Sequence, residues 1–268
     1  MPRLSLLIGY SKSNIVVDLS ESQYKARVVI RGQYMREGLQ FNDTFAPVAK
    51  PATLRSVLAI AAKFGCILMA GDVETAFLTA NMDCEVWVRL PPYWGKDDGP
   101  ISLNDEYQSP CLLVKGVPGI PQGSRLFYQT FSSHLNALGF VTTSCDQCLF
   151  VNTSLKEINA VLLWVDDFIF LCEKQETWTE FIMNVRKVFN IPSAGALTTF
   201  LGMKIVRDVK LKSLTISQAN SIAVLLERAG MLDSNPATSP CIAGSTFTMK
   251  DCPPTDIPIR LPMTIAVW

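Results

Sequence analysis

The chain has 268 residues, of which 49% are hydrophobic and 18% charged, enough to bury a substantial core as one large domain or two subdomains. Lys and Arg total 24 and so do Asp and Glu, so the net charge is zero and offers no argument for a nucleic-acid partner. The single histidine, His134, argues against a His-based triad, an H-E-x-x-H protease and a zinc deaminase.

The distribution of charge says more than its sum. Ahead of residue 67, Arg3, Lys12, Lys25, Arg27, Arg31, Arg36, Lys50, Arg55 and Lys63 outnumber Asp18, Glu21, Glu37 and Asp43, whereas Asp72 to Glu106 is mostly acidic. A basic surface beside an acidic centre suits a site that holds polyanions and metal together; an ordinary solvated surface has the same composition. Cys66, Cys111 and Cys172 lie in apolar runs, as reduced thiols of an intracellular protein do. Cys145 and Cys148 form a C-x-x-C with no second pair, so they read as core or strand-edge thiols rather than a zinc site. The apolar run Leu4 to Ile8 is short for a signal peptide and no stretch is long enough to span a bilayer, so no membrane partner is expected.

Taken in order, residues 1–23 show no strong period and read as a weakly ordered segment. Tyr24 to Gly32 alternates as a strand with Lys25, Arg27 and Arg31 on one face, either a grip for phosphates or a solvated edge. Gly38 to Pro47 is turn-rich. Leu54, Val57, Leu58, Ala61 and Phe64 recur at helical spacing, predicting a helix over Thr53 to Phe64 closed by Gly65. A short buried strand, Cys66 to Ala70, runs into Gly71-Asp72-Val73-Glu74-Thr75-Ala76-Phe77-Leu78. Asp72 at the strand exit is placed either for a metal or as a helix N-cap. Glu85 to Leu90 and Cys111 to Lys115 read as strands around a polar loop from Gly95 to Gln108. Gly116 to Gly123 is a sharply punctuated turn, followed by a helix marked by Leu126, Phe127, Phe131, Leu135 and Leu138 and stopped by Gly139. A strand over Cys148 to Asn152 leads to Val161-Leu162-Leu163-Trp164-Val165-Asp166-Asp167-Phe168-Ile169-Phe170-Leu171, two apolar runs meeting at adjacent carboxylates where a tight hairpin turns. A helix follows over Thr177 to Phe189, with Trp178, Phe181, Ile182, Val185 and Val188 inward. A hairpin over Leu201 to Arg207 and Ser213 to Ser217 and a helix to Gly230 complete the pattern. Domain boundaries are expected at 1–23, 24–233 and 234–268, the last a Pro/Ser/Thr-rich linker or tail.

The Asp166-Asp167 pair by itself reads first as a solvated turn closing a core hairpin, Asp being a common turn residue. Asp72 changes the weighing. If its strand neighbours the hairpin in one antiparallel sheet, three carboxylates converge, and such clusters hold two Mg²⁺ ions for phosphoryl transfer. With no P-loop or G-x-G-x-x-G, phosphates would rest on metal and basic side chains.

The sequence resembles the reverse transcriptase domain of Ty1/copia-type retrotransposon polyproteins. The matching segments fall in the family's order: Tyr24 to Gly32, Thr44-Phe45-Ala46-Pro47-Val48, Asp72 to Leu78, Gly119-Ile120-Pro121-Gln122-Gly123-Ser124-Arg125, Leu138-Gly139-Phe140, Cys148-Leu149-Phe150, Val165-Asp166-Asp167, Phe200-Leu201-Gly202-Met203 and Leu214-Thr215-Ile216-Ser217-Gln218. The resemblance implies an α+β, right-hand polymerase fold with fingers, a palm whose antiparallel sheet packs on helices, and a partial thumb. It implies two Mg²⁺ (or Mn²⁺) ions on Asp72, Asp166 and Asp167 as the catalytic carboxylates, with the Val73 carbonyl an extra ligand. Nucleotide binding would fall to Val73, Ala76, Phe77 and Gln122, with Phe77 the aromatic gate against a 2′-hydroxyl and Lys25, Arg27 and Arg31 on phosphates or template. Implied partners are an RNA or DNA template with its primer and dNTPs, within a parent polyprotein that also carries integrase and RNase H. The setting would be intracellular, in a cytoplasmic virus-like particle or the nucleus.

Trp164 stands where the family has Tyr, a swap an aromatic wall tolerates, and Pro118 replaces a Tyr ahead of the turn that presents Gln122. From Pro254 to Trp268 the family pattern fades, and no RNase H, integrase or protease segment is seen, so an isolated piece of a polyprotein is expected. The alternative is a catalytically inactive, truncated remnant that at most binds nucleic acid. A nucleotidyl cyclase on a similar palm leaves Asp72 to Phe77 and Pro121 to Gly123 without a role.

Overall fold

A computed structural model describes residues 29–88, 110–154 and 156–237, with isolated positions 239, 244 and 248. The chain divides into two compact units, the first ending at Ala196 and the second beginning at Leu197, inside the single domain expected over 24–233.

In the first unit, helix α1 (Pro51–Phe64) is followed by strand β1 (Ile67–Asp72), short helix α2 (Ala76–Thr79), β2 (Trp87–Val88), β3 (Cys111–Leu112) and helix α3 (Gly123–Ala137). Then come β4 (Val141–Thr142), β5 (Leu149–Val151), β6 (Ala160–Trp164), β7 (Asp167–Cys172), α4 (Gln175–Val185) and β8 (Ala194–Ala196). Six strands form one sheet in the order β4-β5-β6-β7-β1-β8, every pairing antiparallel. β2 and β3 pair separately.

Alternation along the central strands sorts their side chains onto two faces. Val161, Leu163, Phe168, Phe170 and Cys172 meet Phe127, Phe131 and Leu135 of α3 and Trp178, Phe181, Ile182 and Val185 of α4 in one core. Its aromatic rings interlock: Phe170 stacks on Phe181 at 4.1 Å between centroids, and Phe131 lies 6.0 Å from Phe168. With helices on that face, the other face, which carries Asp167 next to Ile169, is the one that presents the acids.

Two long-range devices fix the frame. Asp146 caps α1 from 96 residues away: its Oδ2 accepts from the Lys50 N–H (2.9 Å) and the Thr53 hydroxyl (2.6 Å), and its Oδ1 from the Cys148 N–H (2.9 Å). These bonds overcome the burial that would otherwise raise the carboxyl, and hold it below its ordinary value. Gly32 and Gly119 touch backbone to backbone. The Ile30 N–H donates to the Pro118 carbonyl (2.8 Å) and the Gly32 N–H to that of Gly119 (3.1 Å). A Cβ on Gly32 would stand 2.1 Å from the Gly119 carbonyl oxygen, and Gly119 sits at φ 95°.

That contact corrects one expectation. Residues 29–31 form no strand and Gly32–Tyr34 is a short 3-10 helix, because the backbone donors there serve the 118–119 turn and not a ladder. The rest of the expected strand, with Lys25 and Arg27, lies outside the described residues. A second correction concerns the helix expected to Phe189: α4 stops at Val185, and Val188 is 54% exposed instead of packing inward. The described cysteines Cys66, Cys84, Cys111, Cys145, Cys148 and Cys172 are free thiols.

In the second unit, β9 (Thr199–Phe200), β10 (Met203–Asp208) and β11 (Ser213–Ser217) form an antiparallel sheet and α5 (Ala219–Arg228) follows. β9 and β10 are joined by Leu201-Gly202, both at positive φ (50° and 74°), the geometry of a two-residue hairpin turn. No helix among the described residues is long and apolar enough to cross a membrane.

Candidate active site

The β6–β7 hairpin turns one residue earlier than the Asp-Asp pair itself. Trp164 pairs with Asp167, which leaves Val165-Asp166 as the two-residue loop and makes Asp167 the first residue of β7. The shift matters because Asp167 is then a ladder residue with a fixed direction, while Asp166 sits on the turn. Val165 takes φ 57°, a left-handed conformation that a β-branched side chain adopts at a cost of about 1–2 kcal/mol.

β1 lies against β7 with Asp72 directly opposite Asp167. Directly opposed residues share a face, with Cβ atoms about 4.5–5.5 Å apart. Beyond the ladder, the Val73 N–H donates to the Asp166 carbonyl (3.0 Å), which ties the exit of β1 to the turn. Burial first, then the charges of Asp166 and Asp72, push the Asp167 carboxyl up from 3.8 to about 6. Asp72, 95 positions away along the chain, thus acts on Asp167 through space.

After Asp72 the chain bends sharply. Thr75, at φ 56°, is the second β-branched residue held left-handed near the acids. It starts α2, which sets the Phe77 ring half-buried at the edge of the core. Phe77 is seated by two glycines: a Cβ on Gly123 would lie 3.2 Å from its ring, and one on Gly116 only 2.6 Å from its carbonyl oxygen. Val73 and Ala76 bury their side chains, so any contact of theirs with a nucleotide runs through the backbone. Arg31 is half-buried ahead of the 3-10 helix.

Gln122 is placed differently from the contact that the resemblance implies. Its side chain is 0% exposed, and Nε2 donates to the Gln40 carbonyl at 3.0 Å. Its Oε1 is buried without a hydrogen-bond partner. In this conformation the amide pins the Gln40 turn and offers nothing to solvent.

The groups that steady this region leave almost no mark in the sequence. The Glu74 N–H donates to the Asn190 carbonyl (2.9 Å), and the Asn190 amide donates back to Glu74 Oε2 (2.8 Å). Arg125, near the start of α3, pairs with Asp83 and donates from Nε to the Asp43 carbonyl at 2.7 Å. Only the Arg in Gly123-Ser124-Arg125 carries a trace of this in the sequence; partners 42 or more residues away carry none.

The donor chemistry at the hairpin is all oxygen, which suits Mg²⁺ or Mn²⁺ over soft metals. Among the described residues no three His, Cys, Asp or Glu side chains close around one ion. A magnesium site does not require that, since Mg²⁺ is commonly held by one or two carboxylates with the rest of its shell supplied by water and substrate phosphates. Asp72 and Asp167 fit that pattern as a cross-strand pair, with Asp166 beside them.

The geometry is thus an antiparallel sheet that presents acids at a hairpin, with a glycine-seated aromatic five residues after Asp72. The family model for reverse transcriptase (RNA-dependent DNA polymerase) matches residues 10–243, and the chain belongs to that family, in its copia-type branch. It is 29% identical over 234 residues to the retrovirus-related Pol polyprotein from transposon TNT 1-94 of Nicotiana tabacum, covering 87% of this chain and 17% of that protein. It is 31% identical over 223 residues to that from transposon RE1 of Arabidopsis thaliana, covering 83% and 15%. To the Ty1-ER2 Gag-Pol polyprotein of Saccharomyces cerevisiae it is 25% identical over 176 residues, covering 63% and 9%. The chain therefore spans a small part of the length of the curated relatives it matches.

Proposed function

We propose that the chain is the nucleotidyl-transfer core of an RNA-directed DNA polymerase, with the sheet of the first unit as palm, the residues around Gly32 and Gly119 as part of the fingers, and the second unit as the start of a thumb. Asp72, Asp166 and Asp167 hold two divalent ions, and the Val73 carbonyl is a further oxygen ligand. What the ions supply when bound is a lowered pKa for the primer 3′-hydroxyl and neutralisation of charge on the leaving pyrophosphate. The chain's own part is placement. β1 and β7 fix two carboxylates as cross-strand neighbours, and Phe77, wedged on Gly123, walls the sugar so that a 2′-hydroxyl is disfavoured. Lys25, Arg27 and Arg31 meet phosphates or template.

The observation that carries this reading is the pairing of Asp72 with Asp167 beside Asp166, with mutual repulsion felt at Asp167. Extension of a primed RNA or DNA template by the purified protein, compared with Asp166→Ala, tests it. Incorporation that is metal-dependent and lost in the variant is expected; equal activity in both ends the proposal.

One observation favours a second reading, a catalytically inactive remnant that at most binds nucleic acid. The Gln122 amide, which the resemblance sets against the nucleotide, is sealed away from solvent. That protein would bind template in a salt-dependent way, as phosphate contacts release counterions, with no incorporation at any metal concentration. In either case the expected setting is a parent Pol polyprotein, the kind of protein its relatives are named as, with integrase and RNase H as neighbours.

A further inference from the structure

The turn that follows Asp72 is held from two sides. On one, the Val73 N–H reaches the Asp166 carbonyl; on the other, the next amide, that of Glu74, reaches the carbonyl of Asn190. The second contact is doubled by a side-chain bond, from the Asn190 Nδ2 to Glu74 Oε2 at 2.8 Å, so residues 116 apart close a small hydrogen-bonded ring. Asn190 is itself anchored. Phe189 and Ile191 on either side are 1% and 3% exposed in the main core, and Arg186 Nε donates to the Ile191 carbonyl at 3.1 Å. A Cβ on Gly71 would meet Phe168 at 2.5 Å and Ile191 at 3.4 Å, so the same segment also presses on the strand that delivers Asp72.

We propose that Asn190 is a positioning residue for the Asp72–Phe77 turn. Gripping Glu74 by both backbone and side chain, it holds the left-handed step at Thr75 that aims α2 and Phe77. The bond also occupies the Glu74 carboxylate, two residues from Asp72, which otherwise adds a fourth mobile negative charge beside the acid group. Asn190 touches neither nucleotide nor metal in this scheme, and its effect runs through Glu74. The catalytic consequence rests on the polymerase reading; the mechanical one does not.

The test uses the full chain and needs no activity to be decisive. In Asn190→Asp the amide donor becomes a second carboxylate facing Glu74, while in Glu74→Gln with Asn190→Asp donor and acceptor are exchanged and the bond is remade. Amide hydrogen exchange of the peptide covering residues 71–79 is read by mass spectrometry in wild type, both variants and Asn190→Ala. The single variants are expected to exchange this peptide about five- to tenfold faster, the change that loss of one such bond brings, with melting temperature held within about 2 °C. The double variant is expected to return to the wild-type rate. Unchanged exchange in Asn190→Asp, or a double variant as fast as the single one, overturns the proposal. Where the wild type extends primers, Asn190→Asp should also weaken discrimination between dNTP and rNTP, and the exchanged pair should restore it. Exchange that follows the prediction in a protein that extends no primer leaves the clasp standing and removes the polymerase reading alone.

Discussion

Asp167→Asn is expected to stabilise the metal-free protein at neutral pH. The Asp167 carboxyl titrates at about 6 in the folded chain against an ordinary 3.8, because burial and the charges of Asp166 and Asp72 oppose its ionisation. A raised acid binds its proton more tightly when folded than when unfolded, so stability falls as pH rises between those two values. Below 3.8 both states are protonated and the penalty vanishes; above about 6 it is present in full. At about 1.4 kcal/mol per pH unit the gap corresponds to about 3 kcal/mol, and partial solvation of the carboxyl reduces that to about 1.5 kcal/mol.

Urea and thermal melts followed by circular dichroism, in chelator, at pH 7.5 and again near pH 4, measure this directly. The asparagine variant should melt about 3–6 °C above wild type at pH 7.5, by the scaling for a unit of this size, and level with it near pH 4. Added Mg²⁺ should raise the wild type and not the variant, since a ligand of the folded state alone stabilises by mass action. A variant that is less stable than wild type at pH 7.5, or one whose advantage is the same at both pH values, would refute the electrostatic account of the three acids.

Asp146→Ala removes the acceptor of three hydrogen bonds, two from the start of α1 and one from the Cys148 N–H, and should cost about 2–4 kcal/mol, read from urea midpoints. Because that carboxyl is depressed in the folded chain, its contribution is present above its ordinary value of 3.8 and is lost as pH falls through the folded one; the gap between variant and wild type should therefore close in acid. Gly32→Ala drives a methyl to 2.1 Å from the Gly119 carbonyl oxygen and should lose more than about 3 kcal/mol or fail to fold, judged by soluble yield and melting. Gly195→Ala, with nothing within 4 Å of the added carbon, is the matched control and should change stability by less than about 1 kcal/mol.

The parts of the fold legible in the sequence are those with a strong period. The apolar runs around Asp166 and Asp167, the helical spacing from Leu54 to Ala61 and that from Leu126 to Leu135 each state a period over enough residues to be read. β4 and β8 were not legible, being two and three residues long, and β8 is Ala194-Gly195-Ala196, with no side chain to mark an inner face. The four-residue α2 depends on a left-handed Thr75 that no propensity favours. Within the site, Asp72 and Asp167 stand out as acids at strand ends, whereas their one-to-one register hangs on where the hairpin turns, and a shift of one residue reverses every face. The Glu74–Asn190 ring joins residues 116 apart and leaves no local mark.

Gln122 shows why a motif fixes a residue's address more firmly than its task. In Pro121-Gln122-Gly123 the two flanking residues are committed by sterics: Gly123 leaves room for Phe77, and Pro121 lies against Gly32. Once Gly32 and Gly119 have closed on each other, the Gln40 carbonyl is the acceptor within reach of Gln122, and Cys84 donates to the same oxygen at 2.8 Å. The amide then has one satisfied end and one buried, unpartnered oxygen, an arrangement that costs about 1–3 kcal/mol. On the polymerase reading proposed above, contact of Gln122 with a nucleotide requires the Gln40 bond to break, so one side chain would serve the turn and the substrate in two different positions. Loosening the turn, for example through Gly119, should therefore change nucleotide affinity and stability together.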